Sequence, residues 1–578
     1  MNANAVPGPG ITIVTPSPWT GSGSMMRVLC LLLLLGLVTA EWYLLSPCKV
    51  VMHNHGHDDL LFAILANHMY HGSWLGPFNS LTLAKVPGYP LWLAMEHRLG
   101  LPPMSAEYLV YFTAVLVFYG ALLNAGMPPL VTTIALCVFL VSPEFYYIES
   151  MRLTRNLLYD SLTLLLISVS IAIIQIRSIK LLLPVTLFYS LVLGFYSIVR
   201  EEFVWILPVH GVYVLCFLYL WRRRGQPRPL LCTALVAFLP MVSVFAVDAS
   251  IKTINHKYYN VSLLTTQRDG NFPKAMGALQ RIRTNSFQQY VPVSQEMRLQ
   301  AYAVSPSFAR LGLQLEGEYN PKLSTRNSCS EAHVCNDYAA QRIYWDIMYA
   351  ANNLHIYDTA NKAENFYGSM ATEINNACES GRIACGPPHT SLYPVFRSAM
   401  IPDFRDAAHS VLAVFFYPDF RRDLNGQWWK SNDLKVLDTY QELFPKENIY
   451  TDKEFAPLEN PRKTMGKSAA TLWPFIAFIA VFGSLFLVGR CIHDAKKHGP
   501  LVSRQAPIMA CAIIILTVAI LCRLVLLITI TATSFRALEG YMAPAYGLTA
   551  FLFVIPFVYF VSAVFGAMCA YHRKNSNR

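Results

Sequence analysis

The sequence predicts a polytopic α-helical membrane protein of about ten transmembrane helices, with one large, mostly helical polar domain outside the cytoplasm. Three observations predict it. Of the 578 residues, 54% are hydrophobic and 14% charged, against about 25% charged in ordinary soluble domains. Apolar runs close to the roughly 20 residues that cross a bilayer recur along the chain. The basic residues are unevenly shared between the segments that connect those runs.

Taken in order, the predicted spans are 27–46, 106–124, 128–142, 157–176, 181–198, 203–221, 230–248, 469–489, 507–533 and 543–571. Residues 1–26 carry no charge and are rich in Pro, Gly, Ser and Thr, the composition of a disordered tail. Arg27 then opens a Leu-rich run that continues to Ala40-Glu41-Trp42, longer than a cleaved signal peptide needs, and it reads as an uncleaved first helix. The third span is short and the last is long enough to tilt.

With the N-terminus in the cytoplasm, alternation of the spans puts Arg27, Arg177, Lys180, Arg222, Arg223, Arg224, Arg228, Arg490, Lys496, Lys497, Arg504, Arg573, Lys574 and Arg578 on the cytoplasmic side with one acid, Asp494. The remaining 32 basic and 34 acidic residues nearly cancel, so the net charge of +11 is concentrated on one face. That is the positive-inside pattern, with both termini cytoplasmic. A nucleic-acid partner is not needed to account for it, and no basic stripe interleaved with aromatics on a polar face argues for one.

This orientation places two regions on the outer side: the loop 47–105 and the polar stretch 249–468, which reads as a soluble domain with helical segments near 337–351 and 359–377. Nine of the thirteen cysteines lie in or beside spans, where a thiol behaves as a small hydrophobe. The other four form two close pairs in the polar domain, Cys329 with Cys335 and Cys378 with Cys385, separated by five and six residues. In an oxidising compartment such pairs read as disulfides. Zinc is the rival, without a C-x-x-C spacing to support it.

Unusual polar residues gather on the outer side. The first outer loop begins Met52-His53-Asn54-His55-Gly56-His57-Asp58-Asp59-Leu60 and continues through an apolar stretch, 60–71, that suits a short helix along the membrane surface. It then runs through Gly72-Ser73-Trp74-Leu75-Gly76 to Lys85-Val86-Pro87-Gly88-Tyr89-Pro90. Glu144, Glu149, Arg152 and Arg155 follow in the next outer loop, with Arg152 and Arg155 spaced to share a helix face. Next comes the tight turn Arg200-Glu201-Glu202, and Arg523 lies inside the ninth span nearer its outer end. An intramembrane arginine is costly and points to a function by default. Carboxylates beside arginines and lysines suit transfer from a phosphorylated lipid: a carboxylate acts as general base on an incoming hydroxyl, and the cations hold a phosphate that leaves with developing charge.

In these features residues 25–250 resemble the GT-C superfamily of integral membrane glycosyltransferases, which includes protein O-mannosyltransferases and the aminoarabinose transferases of lipid A. The resemblance rests on Asp58-Asp59 after the first span, on Gly72 to Gly76 followed by the Lys-x-Pro-Gly-x-Pro run at Lys85 to Pro90, on Arg200-Glu201-Glu202, and on an outer domain followed by more spans. It implies a GT-C-like module over 27–248 with its catalytic loop at 47–105, then the extracytoplasmic domain 249–468 and the C-terminal helices and basic tail of 469–578. It implies a polyprenyl-phosphate sugar donor, a lipid, glycan or protein hydroxyl as acceptor, inversion at the sugar carbon, and a bacterial inner membrane with a periplasmic active face. Asp58 or Asp59 would be the catalytic base, and Lys85 would approach the donor phosphate. Related enzymes have Lys-Pro-Pro where Val86 here intervenes.

Arg152, Arg155, Arg200 and Arg523 are further candidates for the phosphate, and Glu201, Glu202 and His57 for substrate hydroxyls. Each has a plainer reading: surface acids for Asp58 and Asp59, a snorkelling lysine for Lys85, an interfacial ion-pair turn at 200–202, and an Arg523 satisfied by an acid such as Asp160. His53, His55 and His57 alternate before two acids, so transition-metal binding, or a divalent ion on Asp58 or Asp59, stays open. Trp428-Trp429 reads as an interface anchor before a sugar platform, and Asn260-Val261-Ser262 matches a glycosylation triplet. Two rival functions stand beside the transferase: a secondary transporter, although no matched pair of broken hydrophobic segments is visible, and a non-catalytic lipid-binding or envelope-assembly protein.

Overall fold

The long apolar runs become the long helices of a computed structural model, which describes residues 23–45, 50, 58–102, 104–142, 152–284, 287–317, 334–418, 434–443, 452–498, 506–536 and 539–576. Eight of its helical stretches have the length and apolar composition to cross a membrane: 105–124, 156–173, 179–196, 203–223, 229–259, 466–493, 506–533 and 540–568. Two of the ten expected spans are shorter apolar helices, Met25–Ala40 and Pro129–Phe139. The second is short for a local reason. Its α-helix ends at Leu136 and the chain tightens into a 3₁₀ turn over Cys137–Val141, a geometry that rarely runs beyond a few residues.

The helices that follow are named in chain order: α1 Gly23–Leu45, α2 Asp58–Tyr70, α3 Gly88–Arg98, α4 Ser105–Asn124, α5 Pro129–Leu136, α6 Asn156–Ile173, α7 Ile179–Tyr196, α8 Ile206–Arg223 and α9 Pro229–Tyr259. The later membrane-type helices run from Asp452 to His498, with a π-helical turn at Ile479–Gly483, then Ala506–Thr533 and Glu539–Ser576. At the centre stands α6, 89% buried; it is enclosed on every side, its polar Asp160, Ser161, Thr163, Ser168 and Ser170 included. α4 and the helix 539–576 pack beside it, where the rings of Phe118 and Phe551 stack at 4.0 Å. At the π turn, Gly483 lies so close to Pro556 that a Cβ there would meet the proline ring at 2.8 Å.

α9 was expected to end near residue 248, yet it continues to Tyr259. Ile251 and Asn255 are buried four residues apart, which keeps one face of the helix packed beyond the apolar run. The extension is anchored to the first loop. Trp74 donates to Asn255 Oδ1 at 2.8 Å, Asn255 donates to the Leu263 carbonyl at 2.7 Å, and Tyr259 donates to the Gly76 carbonyl at 2.9 Å.

A polar helical domain caps this end of the bundle. Its helices are α10 Asn271–Gln280, α11 Gln295–Val304, α12 Ala340–Asn353 and α13 Ala360–Glu379, and α12 and α13 fall where the sequence suggested helices. Phe272, Met276, Ile343, Ile347, Tyr367 and Met370 form its own core. Ala84 of the first loop belongs to that core, so the segment preceding Lys85 is held by the cap. Cys378 and Cys385 are disulfide-bonded with Cα atoms 5.5 Å apart, closing α13 onto a bridge between Ile282 and Cys385. Cys335 is disulfide-bonded as well, whereas Cys329 lies outside the described residues, as do His53, His55, His57, Glu144, Glu149, Trp428 and Trp429.

The cap is tied to the bundle a second time by α14, Ile401–Phe416. Its C-terminal end enters the helix bundle: Trp473 donates to the Phe415 carbonyl, Tyr546 donates to the Val414 carbonyl, and Phe415 stacks on Tyr546.

Candidate active site

The site forms where segments far apart in sequence meet at the capped end of the bundle. α2 begins with Asp58 and Asp59 in its first turn, where the positive end of the helix favours acids. The two carboxylates have different surroundings. Asp59 is fully buried and takes two hydrogen bonds from Arg152, from Nε and Nη2, each at 3.0 Å. Asp58 is about a third exposed (35%) and faces Lys85 Nζ at 3.2 Å and Arg155 Nη2 at 3.8 Å.

Arg152 and Arg155 were expected to share a helix face. Instead they precede α6, with Arg155 at its N-cap. The chain bends and turns just before the helix, and each arginine reaches a different acid, Arg152 to Asp59 and Arg155 to Asp58. Arg155 also donates to Glu201 Oε2 at 2.7 Å, and its guanidinium lies over the Phe62 ring of α2.

The turn after α7 supplies the other half. Arg200 pairs with Glu202 at 3.3 Å and donates to Asn156 Oδ1 at 2.8 Å, with its guanidinium between the rings of Tyr159 and Tyr541. Arg523 is completely buried. It donates to Glu202 Oε1 at 2.7 Å and twice to the Tyr541 carbonyl. Its partner is therefore Glu202, not Asp160, and the arginine inside the apolar run is satisfied through an acid 321 positions away in sequence.

The Lys85 segment and the 198–202 turn are joined backbone to backbone. Gly88 donates to the Ile198 carbonyl at 2.8 Å, and Val86 N donates to Glu201 Oε1 at 3.2 Å. A Cβ on Gly88 would sit 2.4 Å from the Ile198 oxygen, so only glycine allows this approach. From the cap, Trp345 of α12 lies under the Lys85 ammonium, 5.3 Å from ring centre to nitrogen.

Charge is nearly balanced here. Lys85, Arg152, Arg155, Arg200 and Arg523 face Asp58, Asp59, Glu201 and Glu202, a net of +1 over these nine side chains. Burial would raise the Glu202 carboxyl, but Arg200 and Arg523 outweigh it and hold its pKa down at about 2. Burial likewise opposes the charge on Glu201, and Arg155 with Lys85 keeps it below the ordinary carboxylate range. Arg200 loses solvation, yet Glu202 above all holds its proton more firmly than usual. Asp58, Lys85 and Glu201 keep partial exposure, at 35%, 15% and 32%, while the deeper pairs are closed. The open edge of the cluster thus presents a carboxylate, an ammonium and a second carboxylate.

Among the described residues no three His, Cys, Asp or Glu side chains converge as metal ligands. Each of the four acids faces a guanidinium or an ammonium, a setting that does not fit a divalent cation, and no step is assigned to one.

Every catalytic, phosphate-binding and substrate-binding candidate inside the described residues is in this cluster. Sequence reasoning missed Asn156, Trp345 and Tyr541. Asn156 was signalled by its position next to Arg155; the other two arrive from distant segments and carry no local mark.

No family model matches the chain, and no curated protein matches it. Two solved structures align with it. ArnT from Cupriavidus metallidurans bound to undecaprenyl phosphate is 11% identical, with a TM-score of 0.31 over 86% of this chain and 77% of that one. ArnT in the apo state is 12% identical, with a TM-score of 0.25 over 93% and 78%. At these values the likeness carries no argument about function, and the reading below rests on the residues.

Proposed function

We propose that this protein is a membrane glycosyltransferase of the GT-C type that moves a sugar from a polyprenyl-phosphate donor to a hydroxyl of a lipid, glycan or protein. The reaction takes place at the capped, extracytoplasmic end of the bundle. The observation that carries the reading is the division between the two aspartates: Asp59 is consumed by a buried bidentate arginine, and Asp58 stays accessible beside Lys85 and Arg155.

In this reading Asp58 is the base. It takes the proton of the acceptor hydroxyl as that oxygen bonds to the anomeric carbon. The bond from that carbon to the phosphate oxygen breaks on the opposite side, inverting the centre, and the polyprenyl phosphate leaves with the electron pair. The donor is a phosphodiester with one negative charge, matched to the net +1 of the cluster, and the leaving phosphate gains a second. Lys85 and Arg155 are placed to stabilise that added charge, which is where cations accelerate the step. Asp59 fixes Arg152 and the start of α2, and so positions Asp58. Arg200, Glu202 and Arg523 hold the 200–202 turn, and Glu201, partly open, faces substrate hydroxyls.

Mass spectrometry of lipids that co-purify with the wild type and with Lys85→Ala tests the donor assignment. A polyprenyl phosphate or its sugar adduct, enriched with the wild type and depleted about tenfold or more in the variant, is expected. Only bulk phospholipid, equal in both, would remove the reading's main support and favour a transporter, which counterflow in vesicles would then report.

A further inference from the structure

α8 ends in a run of cations, Arg222-Arg223-Arg224, and Arg228 follows after a turn. The helix starts just after the 200–202 turn and has 18 residues, so its last turn lies about 27 Å further along, at the uncapped end of the bundle. Leu215, Leu218, Tyr219 and Arg222 recur at the three- and four-residue spacing that shares one helix face. With Arg223 they line an open cavity of about 540 Å³, within the range of small-molecule sites. Leu215 and Tyr219 are exposed, and in a bilayer that exposure is to lipid.

The turn after the helix divides the arginines. Gly225 N donates to the Arg222 carbonyl at 2.9 Å and Gln226 N to the Trp221 carbonyl at 3.2 Å, with Gly225 in the left-handed region at φ 63°, the pair of bonds that closes a helix on glycine. The buried Trp221 indole donates to the Pro227 carbonyl at 3.0 Å. Held in this way, Arg224 turns inward and donates to the Ile174 carbonyl at the end of α6, at 2.9 Å, where the negative end of that helix favours a cation. Arg222 and Arg223 stay exposed.

Two features set this pair apart from ordinary basic residues at a membrane edge. The first is direction. Helical Cα–Cβ bonds tilt toward the N-terminus, which for α8 is into the bilayer. A snorkelling arginine turns back out to water. Arg223 instead follows the tilt, and its Nη1 donates to Tyr219 Oη, one turn deeper, at 2.9 Å. The second is charge. Each cation of the catalytic cluster faces an acid, whereas this lining holds two guanidiniums and no acid. Positive charge laid back toward the hydrocarbon calls for an anion that arrives with an apolar tail.

A phospholipid of net negative charge supplies both. Its phosphate oxygens suit the planar fork of an arginine. The Tyr219 ring lies where headgroup meets chain, and an acyl chain follows Leu218 and Leu215 down the same face. We propose that this cavity seats one anionic phospholipid, at the end of the bundle away from the candidate active site and independently of the transferase reading.

Native mass spectrometry of the full chain in neutral detergent counts the lipid bound on titration with dioleoyl phosphatidylglycerol or dioleoyl phosphatidylcholine, whose chains are identical. Arg222→Ala with Arg223→Ala is compared with Arg177→Ala with Lys180→Ala, an equal loss of charge from exposed residues between α6 and α7 at the same end. Leu215→Trp fills the groove and leaves the charge untouched. The wild type is expected to hold one phosphatidylglycerol in preference to phosphatidylcholine. That affinity should fall about tenfold or more in the arginine pair and in Leu215→Trp, and stay within about twofold in the loop pair, which keeps the local contacts and loses only the general attraction of a basic face. Lys85→Ala, confined to the catalytic cluster, should retain it. Equal binding of the two lipids, equal loss in the two double variants, or binding that Leu215→Trp leaves unchanged overturns the assignment. So does inorganic phosphate, if it raises the thermal midpoint as much as phosphatidylglycerol.

Discussion

Replacing each aspartate of the pair by asparagine separates positioning from chemistry. Asp59 and Arg152 are almost wholly enclosed, with side-chain exposures of 0% and 6%, and share two hydrogen bonds of 3.0 Å. Breaking such a buried pair from one side leaves the guanidinium buried without its carboxylate, at a cost of about 3–5 kcal/mol. Asp58 is 35% exposed, and its contacts with Lys85 and Arg155, at 3.2 and 3.8 Å, are of the kind worth at most about 1 kcal/mol once solvent screening is counted. Asp58→Asn is therefore expected to keep the wild-type thermal midpoint within a few degrees and to lose about 10²–10⁴-fold in turnover, the contribution of a general base. Its affinity for undecaprenyl phosphate should hold or rise, because Lys85 and Arg155 then face the anion with Glu201 as the one remaining carboxylate beside them among the cluster's acids. Asp59→Asn is expected to lower the midpoint strongly. Thermal unfolding in detergent, lipid titration, and transfer of labelled sugar from the polyprenyl-phosphate pool of the membranes together give three readouts per variant. An Asp58→Asn protein that turns over within twofold of the wild type, or an Asp59→Asn protein as stable as the wild type and inactive, would refute the division.

Three other outcomes follow from the same cluster. Gly88→Ala forces a Cβ into contact with the Ile198 oxygen at 2.4 Å, so it should cost about 1–3 kcal/mol by overpacking and weaken lipid binding by parting Lys85 from the 200–202 turn; a normal midpoint with normal lipid affinity would contradict this. Arg523→Leu leaves Glu202 buried with one of its two arginines gone and should destabilise by about 3–5 kcal/mol, with Glu202→Gln in the same chain recovering part of the loss; strict additivity in that double-mutant cycle would count against the pairing. Glu202 titrates at about 2 when folded against an ordinary value near 4.5, so its ion pairs contribute roughly 3 kcal/mol at neutral pH, fully present above the ordinary value and lost as pH falls toward 2. The thermal midpoint should drop through that acid window in the wild type and drop less in Glu202→Gln.

The membrane helices were legible because an apolar run is a local property. Eight of the ten expected spans meet the length and apolar composition of a crossing helix among the described residues; of the departures, α5 gives way to a tighter 3₁₀ turn at Cys137, and α9 continues past its apolar run because Ile251 and Asn255 keep a buried face. The candidate site was legible for a related reason. Charged side chains at the ends of apolar helices are costly, so Asp58, Asp59, Lys85, Arg200 and Arg523 stand out by position. Who pairs with whom was not legible. Arg523 meets Glu202 across 321 positions, Asp59 meets Arg152 across 93, and Trp345 comes to Lys85 from the cap. Such partners are chosen by tertiary packing, which no periodicity within a single segment records.

α9 sets the height at which all of this happens. Its 31 residues give a rod of about 46 Å at 1.5 Å per residue, some 16 Å more than a typical hydrocarbon core of about 30 Å. The surplus is bolted to the first loop through Trp74, Asn255 and Tyr259, so it serves as a gauge between the lipid and the cap. One residue inserted near position 250 would raise the upper part by only 1.5 Å but turn it by about 100°, swinging Asn255 away from Trp74. Four residues would bring the heading back to within about 40° and leave an offset of about 6 Å. A donor delivered from the bilayer plane and an acceptor held above it can meet only within a narrow band of elevations, and the length of this rod is what selects that band.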